Sequence, residues 1–190
     1  MMSRLDALKV LYKYTENIPV ISSCGNTSRE WASLGKRHNH LYMVDTMGLT
    51  PSVAIGVSLT LEKKGFKKCI GIEGDGGVLM NPNSLASASY LNPSKWMLIV
   101  FDNECFASTG GQCSLASRID ISRVAEGFNL KAIQTDNVED FERAVQESIE
   151  EEGPVVIHAK ISQENQKNPF LNDDPAVLAY KFTSFIREEQ

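Results

Sequence analysis

Residues 67–106 read KKCIGIEGDGGVLMNPNSLASASYLNPSKWMLIVFDNECF, and the order of signals in this stretch sets the fold. Lys67 to Glu73 is strand-like and runs into the glycine-rich turn Gly74-Asp75-Gly76-Gly77. Asn83 to Tyr90 then has a helical pattern, and Trp96 to Phe101 is an unbroken apolar run. Such a run is the mark of a strand covered on both faces in a parallel sheet. Strand, helix and buried strand in succession form one β-α-β step.

The same rhythm extends outward. Upstream, residues 3–16 place Leu5, Leu8, Val10, Leu11 and Tyr12 at helical spacing, and Pro19 stops that helix. Pro19 to Ser23 is a short strand pattern, and the turn-rich Cys24-Gly25-Asn26-Thr27-Ser28 ends at Ser28 as a helix cap. A second short strand spans Leu41 to Val44, followed by the turn Asp45-Thr46-Met47-Gly48 and a helix from Pro51 to Lys64, where proline suits the first turn. Downstream come a polar loop over Asp102 to Ser117, a helix over Ser122 to Phe128, a strand over Ala132 to Thr135, an amphipathic helix over Val138 to Glu151 and a last strand over Pro154 to Ile161. This alternation predicts an α/β fold, a doubly wound and mostly parallel sheet with helices on both faces. One domain is expected over residues 1–190, with its core over about 18–162 and a tail over 163–190 that ends in a helix from Ala176 to Arg187.

Composition narrows the function. At 190 residues and 42% hydrophobic content, the chain can bury one substantial core. Its net charge of -5 and its lack of a long Lys/Arg cluster exclude a nucleic-acid partner. The apolar runs at Val53 to Leu61 and Trp96 to Phe101 fall short of the roughly 20 residues that a membrane helix needs, so no membrane partner is expected. Residues Met1 to Asp6 carry no cationic segment followed by an apolar block, which predicts no export. Cys24, Cys69, Cys105 and Cys113 form no CxxC pair, and Cys105 and Cys113 stand too far apart for a zinc knuckle. They read as structural thiols in a reducing cytoplasm.

The chemistry concentrates in two loops. Doubly wound sheets bind ligands beyond the carboxyl ends of their strands. Gly74-Asp75-Gly76-Gly77 leaves one such end with a hard carboxylate and glycines that let N–H groups approach an anion, and Asp102-Asn103-Glu104-Cys105 leaves the other with the Asn103 amide oxygen. If their strands are neighbours, the loops converge. On its own, GDG is also a common glycine turn. GDG followed by 26 residues and Asn103, however, matches the signature of thiamine diphosphate (ThDP) enzymes. The segments Asp45-Thr46-Met47-Gly48-Leu49, GDGGVLMNPNSLA (74–86) and DNECFASTGGQ (102–112) are similar to parts of phosphonopyruvate decarboxylase and of the sulfopyruvate decarboxylase beta subunit. The pattern SxxGxxSRE from Ser22 to Glu30 resembles the start of the diphosphate-binding domain in the same families.

That resemblance implies a ThDP-binding fold and a ThDP- and magnesium-dependent 2-oxo acid decarboxylase. It implies that Asp75 and Asn103 bind Mg2+ through side chains and Cys105 through its carbonyl. A ThDP diphosphate and water would complete the oxygen shell that magnesium demands. Gly74, Gly76, Gly77, Thr27 and Ser28 would border the diphosphate. Met47 would wedge the bent cofactor, with the adjoining Thr46 backbone at the aminopyrimidine and Phe106 also at the cofactor. The activating glutamate would come from a separate pyrimidine-binding, alpha-type subunit in a hetero-oligomer, because a single sheet consumes these 190 residues. Phosphonopyruvate decarboxylases tend to carry a His and an acidic residue before STGGQ, where this chain has Phe106-Ala107, leaving room for a less polar small 2-oxo acid. A ThDP carboligase or oxidoreductase component and a non-catalytic binding module are the alternatives. His158 reads as a satisfied core group, and His38 and His40 as solvent- or partner-facing.

Overall fold

The computed structural model describes residues 1–164 and 166–188; Asn165, Glu189 and Gln190, in the expected tail, lie outside them. Six strands form one parallel sheet in the order β2-β1-β3-β4-β8-β7: β1 Val20–Ser22, β2 His40–Tyr42, β3 Cys69–Gly74, β4 Trp96–Asp102, β7 Lys131–Thr135 and β8 Val155–Lys160. β4 is buried along its whole length, as its unbroken apolar sequence requires. Its side chains alternate between two cores: Met97, Ile99 and Phe101 enter one, Trp96, Leu98 and Val100 the other.

The first core lies beneath α1 Arg4–Tyr14, α2 Asn26–Ser33 and α7 Val138–Glu150. α1 starts where the Ser3 hydroxyl accepts the Asp6 N–H at 3.1 Å. α7 starts where the Asn137 side chain accepts the Asp140 N–H at 2.9 Å, and it buries Phe141, Ala144, Val145, Ser148 and Ile149 at helical spacing. The second core lies beneath α3 Thr50–Leu61, α5 Asn83–Leu91 and α6 Ile121–Gly127. α8 Pro175–Glu188 packs along β2, with Leu178 in one core and Phe182 in the other, and so covers a sheet edge that would otherwise be open to pairing. Among the described residues no helix is long and apolar enough to cross a membrane.

Three local expectations change. α2 begins at Asn26, so Thr27 and Ser28 sit in its first turn and Gly25, at φ +88°, precedes it. Asp75–Met80 is a helix, α4, where the glycines had read as a turn. The expected loop after β4 contains a two-stranded antiparallel ribbon, β5 Cys105–Phe106 with β6 Gln112–Cys113, and a 3₁₀ turn over Leu115–Ser117.

His38 is exposed, but His40 is not. It points inward from β2 and lies 4.6 Å from the buried Trp31 ring, centroid to centroid, because alternation along the strand turns it toward the core. Burial, and then the Arg37 charge, lower its pKa to about 3. The folded chain therefore holds His40 neutral while the unfolded chain protonates it near 6.5. This stability is fully present above pH 6.5 and is lost as pH falls, at about 1.4 kcal/mol per pH unit. Urea unfolding from pH 7 to 5 is expected to show this loss, and His40→Phe is expected to flatten it; an equal slope in the variant would reject the assignment.

Candidate active site

The strand order reverses between β1 and β3. From β1 the chain crosses to edge strand β2, and from β3 it crosses the other way to β4, so their carboxyl-end loops diverge and leave a cleft. Four loops and α1 line it: Ser23, Cys24, Asn26 and Thr27 after β1, Met47 after β2, Glu73 to Gly77 after β3, Asn103 and Cys105 to Ser108 after β4, and Arg4. β3 and β4 pair in register from Cys69 with Trp96 to Gly74 with Phe101, so Asp75 and Asn103 leave the same end of the sheet side by side.

Asp75 is only 3% exposed and accepts a hydrogen bond from the Ser114 hydroxyl. Burial pushes its carboxyl above the usual carboxylate range, against the pull of Ser114. The Asn103 side-chain oxygen accepts the Cys105 N–H at 3.2 Å. Across the ribbon Ser114 donates to the Glu104 carbonyl at 2.9 Å, so Cys105 belongs to a non-hydrogen-bonded pair and its own carbonyl is not spent on β6. Gly74 and Gly25 precede α4 and α2 and supply no side-chain cap, and the first residues of both helices, Asp75 and Asn26, line the cleft. Helix starts of this kind present N–H groups and a partial positive charge to an anion.

The glycines of α4 serve close approach. Neither Gly76 nor Gly77 has a positive φ. A Cβ on Gly76 would stand 2.2 Å from Phe106 Cε1, and one on Gly77 would stand 2.5 Å from Glu73 Oε1. Gly48 is different, since its φ of +76° suits glycine and a Cβ there would meet the Gly77 carbonyl at 2.8 Å. The Asn81 side chain, at the end of α4, donates to the Gly48 carbonyl at 3.0 Å and ties the Met47 loop to that helix. Met47 is 57% exposed at the cleft mouth, and Met80 stands beside it, also exposed.

Of the residues singled out in the sequence, Thr27, Met47, Gly74, Asp75, Gly76, Gly77, Asn103, Cys105 and Phe106 come together in the cleft. Ser28 and Thr46 do not line it. The Ser28 hydroxyl turns inward to the Ser22 hydroxyl, 2.9 Å away, and to the Ser23 carbonyl, because its place in the first turn of α2 faces β1. The Thr46 hydroxyl is buried and has no hydrogen-bond partner among the described residues.

A buried brace stands behind Asn103. Asp102 accepts from His158 Nε2 and from Lys160 Nζ, each at 2.7 Å, and from the Glu104 N–H at 3.0 Å. His158 Nδ1 pairs with the Ser122 hydroxyl at 2.8 Å, so both ring nitrogens are satisfied, as expected of a core histidine. Burial opposes the charged form of Asp102, yet the His158 and Lys160 hydrogen bonds outweigh it and hold the carboxyl below its usual range. The Ser-His-Asp sequence of contacts resembles an acyl-transfer triad, but Ser122 is buried on α6 and lines no part of the cleft.

The family described as thiamine pyrophosphate enzyme, C-terminal TPP binding domain, matches residues 23–159. The chain belongs to this family. It is 33% identical to the sulfopyruvate decarboxylase subunit beta of Methanocaldococcus jannaschii, over 97% of each chain. It is 31% identical to the phosphonopyruvate decarboxylase of Streptomyces viridochromogenes, over 97% of this chain but 46% of that one. These relatives place it among the decarboxylases of the thiamine pyrophosphate enzymes. The benzoylformate decarboxylase of Polynucleobacter necessarius superposes with a TM-score of 0.70 over 86% of this chain and 33% of its own, and at 17% identity that likeness concerns the fold.

The sequence did not single out, among others, Arg4, Cys24 and Asn26 in the cleft or Ser114 behind Asp75. Arg4 reaches the cleft from α1 while held by Glu30 at 2.7 and 3.0 Å, and nothing in its local sequence signals that position. Cys24 and Asn26 had a signal, the glycine before a helix start. Ser114 had none, since its contact with Asp75 spans 39 residues. Replacing His158 with Ala leaves Asp102 without one buried partner and is expected to cost about 1–3 kcal/mol in urea unfolding. A loss below about 0.5 kcal/mol would show that the brace is idle.

Proposed function

We propose that this chain is the beta-type, diphosphate-binding subunit of a ThDP- and magnesium-dependent 2-oxo acid decarboxylase. A separate pyrimidine-binding, alpha-type subunit would complete its site. The observation that carries this reading is the meeting of Asp75 and Asn103 in one cleft, beside the uncapped start of α4. ThDP is thiamine pyrophosphate under another name, and the family match supports its binding.

The donor chemistry fits magnesium. Among the described residues no three His, Cys, Asp or Glu side chains gather as metal ligands. The site offers one carboxylate, one amide oxygen and the Cys105 carbonyl, all hard oxygens. Magnesium takes few protein ligands and fills its octahedron with phosphate oxygens and water. Charge on the metal would draw the Asp75 carboxyl back to its ionised form. Gly74, Gly76 and Gly77 would present N–H groups to the diphosphate from one side and the start of α2, with Thr27, from the other.

When bound, ThDP supplies the carbonyl addition and the electron sink for loss of carbon dioxide. Met47 would set the bend of the cofactor, a task suited to an unbranched, polarizable side chain. Phe106 and Ala107 line the cleft beyond Gly76 and would exclude water from the reacting end. Their apolar character favours a less polar 2-oxo acid than the two relatives' names describe.

The activating glutamate would come from the partner. Among the described residues, Glu73 and Asp75 are the carboxyls that line the cleft. Glu73 is 3% exposed, lies beneath Gly77 and receives the Gly74 N–H at 2.9 Å. Burial holds its pKa up, and its place beneath Gly77 would turn it to the diphosphate end of the cofactor, away from the aminopyrimidine. The end-to-end match to a protein named subunit beta supports a two-chain enzyme, as do the exposed Met47 and Met80 at the cleft mouth. Four cysteines free of disulfides fit a cytoplasmic setting.

Asp75→Ala, assayed with the partner present, is expected to weaken magnesium-dependent ThDP binding by about 100-fold or more in calorimetry, while the thermal melt stays cooperative. Unchanged affinity would remove the metal assignment. Met47→Ala is expected to retain ThDP and lose about 10- to 100-fold in carbon dioxide release. Full activity would reduce Met47 to surface packing.

A further inference from the structure

Cys105 and Cys113 are unremarked by sequence spacing, but the ribbon sets them face to face. β5 and β6 pair antiparallel with Cys105 directly opposite Cys113. The bond from the Ser114 N–H to the Glu104 carbonyl makes 104 and 114 a hydrogen-bonded pair, so 105 and 113 form the adjacent non-hydrogen-bonded pair. Residues so placed project from the same face with Cα atoms about 4.5 Å apart. A disulfide spans about 4.4–6.8 Å between Cα atoms, so the backbone already has the required separation. Both thiols are free, Cys113 being exposed and Cys105 half-buried. Cys69 is buried in β3, and Cys24 lies on the loop after β1; neither faces another cysteine across a strand pair.

We propose that Cys105 and Cys113 are a thiol-oxidation site, joined by a reversible cross-strand disulfide when the chain meets a peroxide. The Cys113 sulfur takes one oxygen from hydrogen peroxide, giving a sulfenic acid and one water. The Cys105 sulfur then displaces the hydroxyl, which leaves as a second water with the Cys105 thiol proton. Two thiols are oxidised and one peroxide is reduced. The bond closes the base of the 106–112 loop, whose Phe106 covers Gly76 and whose turn is held by hydrogen bonds from the Thr109 and Gly111 N–H groups to the Phe106 carbonyl at 3.2 and 3.0 Å. Oxidation thus fixes in place the loop that overhangs the cleft. The inference rests on the two cysteines and stands apart from the cofactor assignment.

Trypsin releases Trp96 to Arg118 as one peptide that contains both cysteines. The full chain, treated with equimolar hydrogen peroxide, alkylated and digested without reduction, is expected to yield this peptide unalkylated and two hydrogens lighter, with dithiothreitol restoring alkylation. Hydrogen exchange over 106–112 is expected to slow several-fold on oxidation and to recover on reduction, and Cys113→Ser is expected to show neither change. Alkylation at both cysteines, oxygen retained on Cys113, or a link between two chains would overturn the site. Unchanged exchange in a chain that carries the disulfide would overturn the loop closure.

Discussion

The parallel pairing of β3 with β4 is the constraint on which the rest depends. Six consecutive residue pairs, from Cys69 with Trp96 to Gly74 with Phe101, lock the two strands together. Both strands are buried, so a slip of one residue would turn the apolar side chains of β4 to the wrong core. Because the register is fixed, Asp75 and Asn103 emerge together, and α4, α5 and β4 occupy the residues between them. The spacing of GDG and Asn103 thus follows from one β-α-β crossover whose two strands must end level.

Around that pair the chain accepts local costs. α2 and α4 begin without side-chain caps, a feature worth about 0.5–2 kcal/mol elsewhere. Glu73 buries one carboxyl oxygen without a hydrogen-bond partner among the described residues, and Asp75 is buried with its carboxyl held above its ordinary range. α1 and α7 are capped and amphipathic, while α3 and α5, like α2 and α4, lack side-chain caps. Glu73, Asp75 and the first residues of α2 and α4 all line the cleft. Behind these residues Asp102, His158, Ser122 and Lys160 form a hydrogen-bonded network that fixes the start of the Asn103 loop.

Most of the fold was legible because parallel strands advertise themselves. Trp96 to Phe101 is apolar without interruption, Val155 to Ile157 is a run of β-branched residues, and the amphipathic period of Val138 to Glu150 is strong. α4 was hidden because two glycines, each about 1 kcal/mol less favourable than alanine in a helix, read as a turn. Their reason is tertiary: Phe106 and Glu73 lie where side chains would go. Two-residue strands such as β5 and β6 have no period to detect, so the pairing of Cys105 with Cys113 was invisible. In the site, residues next to glycine turns were legible, whereas Arg4 and Ser114 arrive from distant elements and Ser28 turns away because of where α2 begins. The match to thiamine pyrophosphate enzymes spans residues 23–159, and it adds family membership to a cleft already defined by Asp75 and Asn103.

The most direct test is to purify the tagged chain from its own source and measure its ThDP, its magnesium and the stoichiometry of any chain that accompanies it. The account predicts a second subunit of comparable size, with one ThDP and one magnesium ion per pair of chains. A chain that is isolated alone and takes up neither ThDP nor magnesium when both are supplied in excess would contradict it.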